Sequence, residues 1–169
     1  MRILAALLIG GLSATPLAAE TIDRVLAVVA GQIITLSDVT AARELGLQSA
    51  APNPDPIRGM LSTLIDRALV LSEADRYAPP EPPAEAIERE VDAIRARFPT
   101  GEAFDAALAR AGLDDRHLRE MIRQDLRIRD YEEQRFAAAD PARRQALIDD
   151  WVAGLRRRAD VIDLYLQRK

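Results

Sequence analysis

The segment DRVLAVVAGQIITLSDV, residues 23–39, limits the fold more than any other part of the chain. Two short apolar runs, 25–29 and 33–36, flank a glycine turn and lead straight into a helix signal. A two-stranded hairpin is marginally stable alone in water, so it needs a third strand or a helix to cover it. Val25 to Val29 is apolar at every position, which predicts cover on both faces. Gly31 predicts a type II′ turn, with Gly31 and Gln32 at its centre. Ser37 is the expected cap of a helix over 37–47, with Asp38 favourable at its positive end. The missing strand is expected at the other end of the chain. There ADVIDLYL carries Val161, Ile162, Leu164 and Tyr165 and reads as a strand at about 160–166.

Helices fill the interval. QSAAPNPDP is a loop whose Asp55-Pro56 pair supplies a cap and a proline at the first helical position. Over 56–77, Ile57, Met60, Leu61, Leu64, Ile65, Ala68, Leu69 and Leu71 share one wide arc. Arg58, Ser62, Asp66 and Glu73 lie on or near the other side, and Val70 falls outside the arc as a solitary exposed residue. A stripe this broad predicts a central helix. APPEPP then stops it as a stiff elbow. Ile87, Val91 and Ile94 line a helix over 84–98, and Phe104 and Leu108 a short one begun by Thr100-Gly101. Gly112 ends that helix, and Asp114 caps a long one reaching about Phe136.

The long helix has two apolar lines: Leu118, Ile122 and Leu126, and then Met121, Ile128 and Tyr131. They predict two packing partners. Arg116, Arg119, Arg123 and Arg127 form a basic ridge, interrupted by Glu120 and Asp130, which reads as a solvated face. After AAADP, Asp140-Pro141 repeats the cap-and-proline device. It opens a helix with Leu147, Ile148, Trp151, Val152 and Leu155. The fold class expected is therefore mostly α, a multi-helix domain with a small antiparallel sheet made of the hairpin at about 23–36 and the strand at about 160–166. With only 4% aromatic residues, the core must come from Leu, Ile, Val and Ala.

The start of the chain reads differently. Met1-Arg2 is basic, 3–12 is apolar, and 13–19 is small and turn-prone, which is the layout of a cleaved signal peptide over 1–19. The apolar run is short for a membrane span. Residues 20–169 are then a single domain, and losing Arg2 leaves 22 basic against 27 acidic residues, a net charge of −5. An acidic exported chain is a poor partner for nucleic acid. The absence of cysteine excludes disulfides, thiol catalysis and thiolate metal sites.

Hydrolytic or acid–base catalysis needs a nucleophile, a base and an orienting group in one constellation. The lone His117 stands at a helix start with no partner set. Asp114-Asp115 belongs to that start, Asp149-Asp150 faces outward near Trp151, and no phosphate loop follows a strand. The chain reads as a non-enzyme that needs no cofactor and no metal.

Taken together, IDRVLAVVAGQIITLSDV, LIDRALVLSEADR and FDAALARAGLDDRHLREMIRQDLRIRD resemble the N-terminal domain of SurA-type periplasmic chaperones. The closing LIDDWVAGLRRRADVIDLYL resembles the helix and strand that complete that domain, so the resemblance covers almost all of the chain after residue 19. The hairpin followed by SDV is fairly specific, and the helical stretches are weakly so. In that family parvulin-type prolyl isomerase domains usually interrupt the module. Here the insertion point, after RIRDYEEQRF, holds only AAADP, which is too short for a domain, so prolyl isomerase activity is expected to be absent.

The resemblance implies a periplasmic, ATP-independent chaperone that holds unfolded outer-membrane polypeptides in an apolar groove. The groove candidates are Met60, Leu64, Met121, Ile128, Tyr131 and Trp151, with core packing the competing reading of each. Two alternatives stay open: a non-catalytic adaptor or assembly-factor subunit for one folded envelope partner, and a homodimer that covers exposed apolar surface.

Overall fold

The structure is a computed structural model, and it describes residues 23–165. Strands β1 (Val25–Val29) and β2 (Gln32–Thr35) form the hairpin. Helices α1 (Leu36–Glu44), α2 (Pro56–Tyr77), α3 (Ala84–Arg95), α4 (Gly101–Arg110), α5 (Asp115–Arg135) and α6 (Pro141–Arg158) follow. Strand β3 (Val161–Asp163) returns to the hairpin. The sheet order is β2-β1-β3, antiparallel throughout, with Val28 opposite both Ile33 and Ile162. The mostly helical domain with a small three-stranded sheet is therefore the observed architecture. The signal peptide expected over 1–19 lies outside the described residues.

The hairpin turn differs from expectation. Val29 pairs with Gln32, so the two central residues are Ala30 and Gly31, at φ 49° and 81°. Two left-handed residues make a type I′ turn, whose twist matches that of the flanking strands. The first helix also starts earlier. Thr35 Oγ1 accepts from the Asp38 backbone N–H at 3.3 Å, and Asp38 Oδ2 accepts from the Thr35 N–H at 2.8 Å. This reciprocal capping box displaces Ser37 as the cap, because the last strand residue can serve both elements. Ser37 instead donates its N–H to Asp23 Oδ1 at 3.3 Å. The helix ends at Glu44 rather than near Leu47, with left-handed Gly46 just beyond.

Two cores hold the chain. The inner sheet face, with Leu26, Ala27, Val29 and Ile34, packs on Val39 and Ala42 of α1 and on Met60, Leu61, Leu64, Ile65, Ala68 and Leu69 of α2. The second core joins Leu45 to Ile87, Val91 and Ile94 of α3, Phe104 and Leu108 of α4, and Leu118 and Ile122 of α5. The central role of α2 is plain, since it touches both hairpin strands, α1, α5 and α6. Asp55 caps it, accepting from the Ile57 and Arg58 N–H groups. Gly59 is required where α2 meets the preceding loop, since a Cβ there would lie 2.5 Å from the Ala51 carbonyl oxygen. Val70, expected to be exposed, is buried at 3%: α2 is covered on more than its widest stripe, so a residue off the arc still meets a neighbour.

The closing strand is held by more than its ladder. The Leu164 N–H donates to the Leu26 carbonyl at 2.9 Å. Arg58 pairs with Asp163 and donates to the Tyr165 carbonyl at 2.9 Å, and the Tyr165 hydroxyl donates to Asp55 Oδ2 at 2.8 Å. Thus the cap residue of α2 also receives the end of the chain. The hydrogen bond from Tyr165 lowers the Asp55 pKa, and the same bond raises that of the Tyr165 hydroxyl.

Candidate functional site

Helix α6 is attached loosely. Gly154 is its only fully buried residue, while Leu155 leans on the sheet core. An open cleft of about 700 Å³ lies among α6, α2 and α5. That is within the usual range of ligand pockets, about 300–1,000 Å³. Ile128 of α5 and Ile148 and Val152 of α6 line it with half-buried aliphatic surface, over a floor that includes the buried Val70 of α2. Among the described residues no group of acidic or histidine side chains is arranged to hold a metal ion. No helix there is long and apolar enough to cross a membrane.

Charged groups rim the aliphatic lining, and most are satisfied. Arg67 Nε is 2.6 Å from Asp125 Oδ1, and its Nη2 donates to the Met121 carbonyl and to Gln124 Oε1. Gln48 donates to the other Asp125 oxygen at 3.1 Å. Arg129 turns to Glu90 of α3 at 3.0 Å. Arg156 donates to Ser62 Oγ at 3.1 Å, and its Nε lies 3.4 Å from Asp66 Oδ1. That Asp66 oxygen is buried and receives no hydrogen bond, so Arg156 acts on it through charge alone. Burial raises the Asp66 pKa, and Arg156 offsets part of the rise.

Glu132 stands apart. It lines the cleft from α5 and has no hydrogen-bond or ion-pair partner among the described residues. Burial alone raises its pKa. A carboxyl raised in this way binds its proton more tightly in the folded chain than in the unfolded one. Its ionisation therefore costs stability above the folded value, and the cost disappears once the pH falls below the unfolded value, about 4.3. Glu132→Gln is expected to raise the melting temperature at neutral pH and to leave it unchanged below about pH 4. Thermal melts followed by circular dichroism across that range check both halves.

The six groove candidates divide. Met60, Leu64 and Tyr131 are 2%, 7% and 5% exposed, and none of them lies on the cleft wall. The sheet and α1 close over the first two, and Tyr131 is sealed by stacking against Tyr77 at 5.4 Å between ring centroids and by Trp151 at 5.9 Å. Met121, Ile128 and Trp151 are half-buried. Of these, Ile128 lines the cleft. Trp151 is a strut: it packs on Phe136 at 5.7 Å and under the Arg135 guanidinium at 4.9 Å.

The basic ridge is also more than a solvated face. Arg119 pairs with Glu88 of α3 at 2.9 Å, and Arg127 with Asp75 near the end of α2 at 2.9 Å. Arg123 reaches Glu81 in the elbow at 4.0 Å. These pairs staple α5 to both neighbours, and only Arg116 of the four is fully exposed. His117 sits at the helix start, its Nδ1 2.8 Å from Asp114 Oδ1, away from the cleft. Among the cleft residues, sequence periodicity had placed Asp66 on the polar side of α2 and gave no sign of Glu132.

No protein-family model and no curated protein matches the chain. Its functional reading therefore rests on its own residues.

Proposed function

We propose that the protein is an ATP-independent holdase of the bacterial periplasm, which binds unfolded outer-membrane polypeptides and has no prolyl isomerase activity. The observation that carries this reading is the open cleft among α2, α5 and α6, which offers aliphatic surface to a chain segment while a polar rim keeps it wetted. The element order supports it too: the hairpin, the helices and the closing strand that the family resemblance requires are all present, and only a short break separates α5 from α6. The test is dilution of urea-denatured porin into the protein, followed by light scattering. Scattering suppressed at modest molar excess is the expected result, and scattering unchanged by folded protein would overturn the reading.

One observation favours a second reading, a non-catalytic adaptor for a folded envelope partner. Ile33, Val28 and Ile162 form a cross-strand row on the sheet face turned away from the core. Ile33 is 61% and Ile162 50% exposed, and Leu164 beside them is 47% exposed. An exposed aliphatic row without charged residues is what the buried centre of a protein–protein interface is made of. A native pull-down from periplasm separates the readings. One stoichiometric folded partner supports the adaptor, and a spread of sub-stoichiometric barrel proteins supports the holdase.

A further inference from the structure

The charges around the cleft are unbalanced in one direction. Each of its arginines already faces a carboxylate: Arg67 faces Asp125, Arg129 faces Glu90, and Arg156 faces Asp66. The acidic side has a surplus. Glu132 is unpartnered among the described residues, and Asp149 on the opposite wall is met only by the neutral amide of Gln145, at 2.8 Å. A half-buried carboxylate without a donor costs free energy that a matching cation would recover. The half-buried aliphatic lining of Ile128, Ile148 and Val152 suits the methylene stem that carries such a cation.

We propose that the cleft is selective for a basic side chain, arginine or lysine, on an extended polypeptide, with Glu132 as the principal acceptor and Asp149 adding to the negative field. This rests on the reading of the cleft as a polypeptide site, and it adds a rule for which segment is held. An extended strand in which a basic residue is flanked by aliphatic ones fits both the lining and the spare charge. An acidic residue at the same place would meet Glu132, Asp149 and Asp66 together.

The experiment is a fluorescence-anisotropy titration of the full chain with three labelled, capped peptides. Each alternates valine and threonine around a central arginine, citrulline or glutamate. Citrulline keeps the shape of arginine without its charge. The arginine peptide is expected to bind about tenfold or more tightly than the citrulline peptide, the range expected for a charged hydrogen bond. The glutamate peptide is expected to bind more weakly still. Glu132→Gln is expected to reduce the arginine peptide to the level of the citrulline peptide, while the variant melts no lower than the parent. Lost selectivity in a protein that is at least as stable marks Glu132 as a ligand-facing group, since a structural role would lower the melting temperature. Equal affinities for the arginine and citrulline peptides overturn the inference, as does an arginine preference that survives Glu132→Gln. Absence of binding by all three peptides overturns it as well. The porin scattering assay then decides separately whether the holdase reading falls with it.

Discussion

A chain ended after Asp160 is expected to lose its cooperative fold, although the deletion removes only a three-residue strand and the short tail behind it. The physical reason lies in what β3 closes. Without it β1 becomes a sheet edge, and the partners of Ala27, Val28 and Val29 on that side are gone. The hairpin returns to the two-stranded state that is marginal in water. Each ladder hydrogen bond is worth a net of about 1 kcal/mol, so the ladder alone amounts to several kcal/mol, against a total of about 5–15 kcal/mol for a typical domain. The start of α2 is loosened by the same cut, because Arg58 loses Asp163 and the Tyr165 carbonyl while Asp55 loses the Tyr165 hydroxyl. Thermal melting by circular dichroism and binding of a hydrophobic dye read the outcome. A broad transition with strong dye binding is expected. Ile162→Thr is the control, since Ile162 points off the open face of the sheet, and it should melt within about 0.5 kcal/mol of the parent. A truncated chain that melts sharply near the parent temperature would refute the closing role of β3.

That closure was legible in the sequence because a hairpin is marginal alone and only 160–166 offered a third strand. The cover expected on both faces of β1 is found on one alone: the face of Val28 stays open, with Ile33 and Ile162 61% and 50% exposed, because the helices pack on the other side. Local chemistry was equally legible at Asp55-Pro56, Thr100, Asp114 and Asp140, where cap residues and helix starts coincide as their side chains require. The structure departs from the sequence expectation where two local solutions compete. Thr35 and Ser37 are both competent caps, and Asp38 decides for Thr35 by reaching back to its N–H. The site was less legible than the fold. Periodicity reports which side chains avoid water, but not which neighbour covers them. Met60 and Ile128 therefore carry the same signal, although one lies under the sheet and the other opens to the cleft. Glu132 resembles any glutamate on a polar helix until α6 folds beside it. Arg127 reads as part of a solvated ridge until Asp75, far off in sequence, arrives beside it.

Phe104→Ala is expected to destabilise the protein by about 3–5 kcal/mol, the usual cost of deleting a fully buried phenylalanine. Phe104 is 1% exposed at the centre of the second core, edge-on to Phe98 at 5.6 Å and beneath the Arg95 guanidinium at 5.1 Å. Its loss leaves a cavity in the cluster that it shares with Val91, Ile94, Leu108 and Leu118, residues of α3, α4 and α5. The two-core organisation predicts where the loss appears. Hydrogen exchange should quicken first at the amides of α3, α4 and the N-terminal half of α5, while α2 and the hairpin keep their protection up to the lowered global limit. Leu45 of α1 belongs to this second core, whereas Val39 and Ala42 belong to the first, so the boundary of the fast-exchanging unit should fall within α1. Uniform acceleration across both cores would show instead that the chain unfolds as one unit.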